Sequence, residues 1–164
     1  LFQNKLPEGE GLTHGFVESV EHGVLDQMKS GILMGHAVIG LKVSLVSVAY
    51  NELDSTEMAF KAASSMALRE ALMEGESKLL EPIMAVEIVS PEEYMGDISG
   101  DINRRRGLVV GLDDLGSDKK LKAQVPLSEM FGYSTHLRSR SQGRATFTME
   151  FKNYSEVPIS SLSE

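Results

Sequence analysis

Two stretches constrain the fold of this chain most: 79–107, reading LLEPIMAVEIVSPEEYMGDISGDINRRRG, and 125–151, reading VPLSEMFGYSTHLRSRSQGRATFTMEF. Each pairs a strand with a helix. In the first, the apolar run 83–89 predicts a short strand. Ser90-Pro91-Glu92-Glu93 then predicts a helix start, with serine as the cap, proline at the first helical position and glutamate at the third. That helix is expected to reach Arg106. Its Gly96 and Gly100 lie on one face and cost about 1 kcal/mol each against alanine, so a close backbone approach is the expected reason for them. Residues 108–115 and 119–126 flank Gly116-Ser117-Asp118, a hairpin signal. A second helix is expected over 127–138 and a final alternating strand over 145–151. The order β-α-β-β-α-β is the split β-α-β plan.

The first half reads differently. Phe16, Val17, Val20, Val24, Leu25 and Met28 recur at three- and four-residue steps, which predicts a helix over 16–29 with one buried stripe, ended by Gly31. The Val- and Leu-rich run 38–46 predicts a strand open to solvent on one side. Asp54-Ser55-Thr56-Glu57 supplies a polar cap and an acid for a helix running to about Met73. Its inner face reads as small, with Ala59, Ala63, Ala67 and Ala71 beside Phe60 and Met66, so that the axis could lie close to a sheet. Gly75 stops it. The expected border lies near 77–81, giving domains 1–78 and 79–164, and the serine-rich tail from Pro158 through Ser160, Ser161 and Ser163 is expected to be weakly ordered. Either half of a 164-residue chain would bury roughly 60 to 70% of its unfolded surface.

Composition narrows the chemistry. There is no cysteine, and the four histidines (His14, His22, His36, His136) are dispersed, so neither disulfides nor a structural metal is expected. No apolar run has the roughly 18 residues a membrane span needs, and no charged-then-apolar leader opens the chain, so a cytoplasmic location is expected. A start at Leu1, not Met, suggests a fragment. Net charge is −8, with 6 basic against 11 acidic residues up to Lys78 and 10 against 13 after it. A general polyanion binder usually carries a basic face, so any RNA contact must be local. The concentration of Arg104, Arg105, Arg106, Arg138 and Arg140, joined by Arg144, is the candidate. Cations in the last turn of a helix oppose its dipole, which accounts for one or two of them. Three consecutive arginines point three ways round a helix, and the planar guanidinium fork suits phosphate.

Other motifs carry less. Gly9-Glu10-Gly11 with Gly15 has the wrong spacing for a nucleotide loop and no strand before it, and the GxxxxGK[ST] and GxSxG patterns are absent. Asp97 and Asp101 sit at helical spacing, which in most proteins marks a solvated helix face. No catalytic residue is expected in this chain.

LEPIM at 80–84, PEEYMGD at 91–97, INRRRG at 102–107, VPL at 125–127, MFGYST at 130–135 and the LRS…QGR run ending at Arg144 resemble elongation factor G. The likeness extends over nearly the whole chain, from Phe2-Gln3-Asn4-Lys5 to Glu156-Val157-Pro158. It implies an α+β chain: a partial domain IV of the ribosomal S5 domain 2-like type, without its first strands, then a ferredoxin-like domain V. In that family domain IV reaches into the decoding-side A site of the small subunit like an anticodon arm and helps move tRNA and mRNA. Domain V packs near the stalk base and factor-binding centre, against ribosomal RNA and ribosomal proteins. The resemblance thus implies a monomeric, ribosome-contacting part of a translocation factor, with no cofactor of its own. GTP and Mg would belong to a GTPase domain elsewhere in the parent protein.

One departure concerns the tip. Where the family commonly has an Asp-Gly turn and a histidine, this chain has Ser47-Val48-Ala49-Tyr50-Asn51. Losing glycine removes easy positive φ angles, and losing imidazole removes a cationic contact to RNA. A paralogue specialised for ribosome recycling is therefore the second reading. A reading of another class is a ferredoxin-like ligand-binding or protein-interaction module, which a convergent apolar pocket with a few polar groups would favour.

Overall fold

The computed structural model describes residues 1–7, 12–51, 53 and 55–158. Gly9-Glu10-Gly11, Glu52, Asp54 and the serines of the tail lie outside the described residues. The chain divides into two compact units, Leu1–Lys78 and Leu79–Glu164.

In the first unit, a three-residue strand β1 (Phe2–Asn4) pairs in parallel with β2 (Val43–Leu45), and the helix α1 (His14–Ser30) connects them. A second helix, α2 (Glu57–Glu74), packs on α1. The strand predicted over 38–46 is thus shorter, because only the pairing with Phe2–Asn4 fixes it. At the start of α2 the cap is Thr56, whose Oγ1 accepts the Ala59 N–H at 3.2 Å. Val24, Leu68 and Leu72 form the core, covered by Phe2, Leu41 and Val43.

The stripe predicted for α1 holds at Val20, Val24 and Met28 and fails at Leu25, whereas the face predicted for α2 is turned round. Leu25 is 40% exposed, and the face of α1 toward α2 carries Ser19, Val20, Gly23, Val24 and Gln27. On α2 the inward residues are Phe60, Leu68 and Leu72, while Ala59, Ala63, Ala67 and Ala71 face outward and Met66 is 64% exposed. Close approach of the two helices comes from Gly23 instead, since a Cβ there would overlap the Ser64 hydroxyl and the Lys61 carbonyl. Buried Gln27 satisfies its amide by donating to Gly31 O and accepting from Ser65 Oγ, both at 3.2 Å.

In the second unit one central strand, β3 (Leu80–Pro91), organises the rest. Around it are α3 (Glu92–Arg104), β4 (Leu108–Asp114), β5 (Asp118–Pro126), a 3₁₀ turn (Leu127–Met130), α4 (Tyr133–Arg140) and β6 (Thr146–Glu156). The sheet order is β4-β5-β3-β6, all antiparallel, as a ferredoxin-like sandwich requires. Strand alternation does the sorting: Met84, Val86, Ile88 and Ser90 point to the helix side and are buried, while Ile83, Ala85, Glu87 and Val89 point to the other. Ile98, Ile102, Leu121, Val125, Tyr133 and Leu137 close the core over them, each aliphatic contributing roughly 1.5 to 3 kcal/mol by burial.

Several boundaries differ from the sequence expectation. Ser90 does not cap α3. β3 runs on through Pro91, which pairs with Asp118, so Ser90 is 1% exposed inside the strand and its hydroxyl donates to Pro91 O at 3.4 Å. A Cβ at Gly96 or Gly100 would meet nothing within 4 Å, so close backbone approach does not explain them. The predicted second helix is broken at Phe131-Gly132, where Gly132 takes φ 72°, giving a 3₁₀ turn and a short α4 that ends at Arg140. β6 runs to Glu156, with a register shift opposite Ile83/Met84, next to Pro82, which has no N–H to offer the ladder.

Gly23→Ala is expected to destabilise the first unit by about 1 to 3 kcal/mol through overpacking. Gly96→Ala, in open space on a helix, is expected to raise stability by up to about 1 kcal/mol. Equilibrium urea unfolding measures both, and a neutral Gly23→Ala would contradict the close helix contact.

Candidate nucleic-acid interface

The six candidate arginines do not form one patch. Their positions follow from how α3 and α4 end. Arg105 occupies the C-cap of α3, and Arg106 follows in the left-handed region at φ 58°. The helix closes by Arg106 N–H donating to Asn103 O at 3.2 Å and Gly107 N–H to Ile102 O at 2.9 Å. Glycine is required at 107, where a Cβ would lie 2.6 Å from Ile102 Cγ2. This closure sends the three arginines apart. Arg104 points outward with its side chain 63% exposed, Arg105 folds inward at 16%, and Arg106 turns to Glu81 and Glu129.

Asp101 is the point where the two helices' charges meet. Its spacing from Asp97 predicts a solvated helix face for both. Asp97 is exposed, but the Asp101 side chain is only 7% exposed, one helical turn before the arginines. Arg105 Nε donates to Asp101 Oδ2 at 3.0 Å. Around Oδ1 stand Arg104 Nη2 at 3.7 Å, Arg140 Nε at 3.7 Å and His136 Nδ1 at 3.9 Å. Burial pushes the Asp101 carboxyl up, but the hydrogen bond and charge of Arg105, with the charges of Arg140 and His136, outweigh it and hold the group below the ordinary carboxylate range.

Arg105 is committed to the interior. Its guanidinium also donates to the Glu129 carbonyl and lies 5.0 Å from the centroid of the Tyr133 ring. Tyr133 is 1% exposed, packs edge-on to Phe147 at 5.0 Å, and has no hydrogen-bond partner for its hydroxyl among the described residues. Burial first, and then the Asp101 charge, push its phenol up to about 12, against the opposing charge of Arg105.

α4 positions the remaining three. Ser141, fully buried, donates from Oγ to Leu137 O at 2.7 Å and accepts from Ala145 N–H at 3.1 Å, fixing the turn after Arg140. Arg138 is exposed and lies about 160° round the helix from Arg140's side. Arg144 binds Glu93 at 2.6 Å and lies 5.8 Å from the Tyr94 ring. Glu93 lies in the first turn of α3 and Asp101 near its end, about 12 Å along the axis. Arg144 is therefore a separate site. The structure brings together Arg104, Arg105 and Arg140, and Asp101 and His136 join them beyond the sequence expectation. The i,i+4 spacing of Asp101 and Arg105 is the available signal for that pairing, whereas burial of Asp101 cannot be read from it.

The tip residues Ser47, Ala49, Tyr50 and Asn51 are exposed and Val48 is half-buried. Asn51 Oδ1 accepts the Leu53 N–H at 3.0 Å, and Asn51 N–H donates to Ser55 Oγ at 3.1 Å. Asn51 therefore ties the loop to the start of α2. Tyr50 reaches Phe60 at 6.3 Å between ring centroids, and Phe60 stacks on Phe16 at 4.5 Å.

On the helix-free side of the second unit's sheet lies a groove of about 430 Å³, lined among others by Glu81, Ile83, Arg106, Leu108, Gln124 and Pro126. Its lining mixes charge with apolar surface, so it is not the converging apolar pocket a small-molecule module calls for.

Residues 78–164 match the family profile of the elongation factor G C-terminus, and residues 1–76 match that of elongation factor G, domain IV. This chain belongs to the elongation factor G family. A crystal structure of a protein from Thermus thermophilus is similar to it with a TM-score of 0.87 and 32% identity, over 97% of this chain and 24% of that one. The chain thus spans about a quarter of that relative's length. The elongation factor G match covers both units, and no helix among the described residues is long and apolar enough to cross a membrane.

Two titrations follow. Because Asp101 is depressed in the fold, its stabilisation is present above the unfolded carboxyl value, about pH 3.9, and is lost as pH falls through the lower folded value. Asp101→Asn should lower stability by roughly 1 to 3 kcal/mol at pH 7 and flatten the acid limb of the unfolding midpoint; an unchanged limb contradicts the assignment. Tyr133 is raised, so stability should fall as pH rises from 10.0 to about 12. Tyr133→Phe should remove that loss and delete the step near 12 from the tyrosine absorbance titration.

Proposed function

We propose that this chain is the ribosome-contacting C-terminal part of a translational GTPase that promotes GTP-dependent translocation of tRNA and mRNA during elongation. The observation that carries the reading is the consecutive match to domain IV and to the C-terminal domain over nearly every residue. The second unit would meet ribosomal RNA and ribosomal proteins of the factor-binding centre, and the loop Ser47 to Asn51 would face the A site of the small subunit. The protein would act as a cytoplasmic monomer. It works by positioned contact, with GTP and Mg handled by a GTPase domain outside this chain.

The geometry supports division of labour among the arginines. Three guanidiniums share the single carboxylate of Asp101, so the end of α3 keeps a cationic surplus within a chain of net charge −8. Arg104 and Arg138 are the most available for phosphate, Arg140 is partly so, and Arg106 and Arg144 already have acid partners. Arg105 serves the fold.

A role in ribosome recycling is the second reading, and the observation that favours it is the tip, where Asn51 closes a turn in place of a glycine- and histidine-bearing loop.

The test uses the full-length protein. It should support translocation, and replacing Ser47 to Asn51 by a glycine- and histidine-containing loop should raise the translocation rate while leaving splitting of spent ribosomes unchanged. Ribosome splitting without translocation would establish the recycling reading instead. Arg104→Ala with Arg138→Ala should weaken ribosome binding and reduce its salt slope by about 1 for each phosphate no longer held, whereas unchanged affinity would count against these contacts.

A further inference from the structure

The distances round Asp101 fall into two classes. Arg105 takes the one direct hydrogen bond, at 3.0 Å. Arg104 and Arg140 approach the other oxygen at 3.7 Å, beyond hydrogen-bond reach, so the charge attracts them without consuming their donors. The Nε of Arg140 is buried with no hydrogen-bond partner among the described residues. Arg104 comes from the last turn of α3 and Arg140 from the last turn of α4, so the carboxylate holds two arginines from separate elements toward one point. A buried carboxylate beside a phosphate contact would ordinarily be a repulsive liability.

We infer that Asp101 is a positioning residue for phosphate recognition: its buried carboxylate tethers Arg104 and Arg140 as a preorganised guanidinium pair for one phosphodiester of the partner RNA. This rests on the reading that the arginine surface meets ribosomal RNA. Long side chains lose rotamer freedom when they bind, and a tether that restricts them beforehand removes part of that cost. Arg105, seated on Tyr133 and on the Glu129 carbonyl, locks the tether itself. Arg138, on another side of α4, has no such tether among the described residues and serves as the internal comparison.

The sign of one substitution separates positioning from charge. Asp101→Asn removes a negative charge beside the site, and electrostatics alone would make ribosome binding about twofold tighter. Tethering predicts the opposite: roughly tenfold weaker binding of the full-length protein to isolated large ribosomal subunits, with a salt slope lower by about 1. It further predicts that Asp101→Asn costs nothing more when added to Arg104→Ala with Arg140→Ala. Equal or tighter binding overturns the inference, as does an equal loss in both backgrounds, which would mark Asp101 as structural only. If the arginine pair variant itself binds normally, the reading of the surface fails and the inference falls with it. Should Asp101→Asn not fold, side-chain ¹⁵N relaxation of the unmodified protein decides the question. Nε–Hε groups of Arg104 and Arg140 more ordered than that of Arg138 support the tether, and equal disorder in all three contradicts it.

Discussion

A carboxylate that is nearly shielded from water must be surrounded by positive charge, and in this protein that requirement falls on Asp101. The rest of the second unit supplies what it needs. The central strand puts Val86 and Ile88 under α3, and this packing turns Asp101 inward beside Ile98 and Ile102. The break at Gly132 brings α4 round so that Tyr133, His136 and Arg140 face the same point. The helix then closes over Arg105 and Arg106 in a way that sends one guanidinium in and another to Glu81. Breaking a partly satisfied buried pair costs more than forming it gains, so the arrangement is better understood as specifying where arginines stand than as a source of net stability.

This reconciles an acidic chain with the proposed RNA partner. The arginines are not equivalent members of a basic patch. Those with close acid partners, Arg105, Arg106 and Arg144, contribute to the fold. Arg104 and Arg138 look outward, and Arg140 stands between the two classes. A local cationic surplus on an otherwise negative molecule favours contact at one orientation and discourages adhesion to arbitrary nucleic acid.

Much of this is legible in the residues, for reasons that also explain the failures. The apolar run 83–89 and the turn at Gly116-Ser117 are local signals that mark two parts of the sheet, while the full length of β3, Leu80–Pro91, comes from its pairing on both sides. The alanines of α2 mislead because alanine fits either side of a helix; the deciding residue, Gly23, lies on the partner helix. Ser90 has every local mark of a cap, yet pairing of Pro91 with Asp118 keeps it in the strand, which is a long-range effect. The second helix breaks where Gly132 allows a positive φ that the apolar pattern does not encode. Among the arginines, residue type and spacing single out six candidates, which the fold divides among separate places. Asp101's burial, and therefore which guanidiniums remain available, depends on packing between α3 and α4 that no short segment contains.

The central claim is that the inward-facing Asp101 takes Arg105 into the fold and leaves Arg104 facing outward, as Arg138 does on another side of α4. The most direct measurement is arginine-selective dicarbonyl modification read by mass spectrometry, on the full-length protein alone and bound to ribosomes. The account predicts that Arg105 resists modification in both states, while Arg104 and Arg138 react in the free protein and become protected on binding. Ready modification of Arg105 in the free protein, or Arg104 and Arg138 remaining equally reactive on the ribosome, would contradict it.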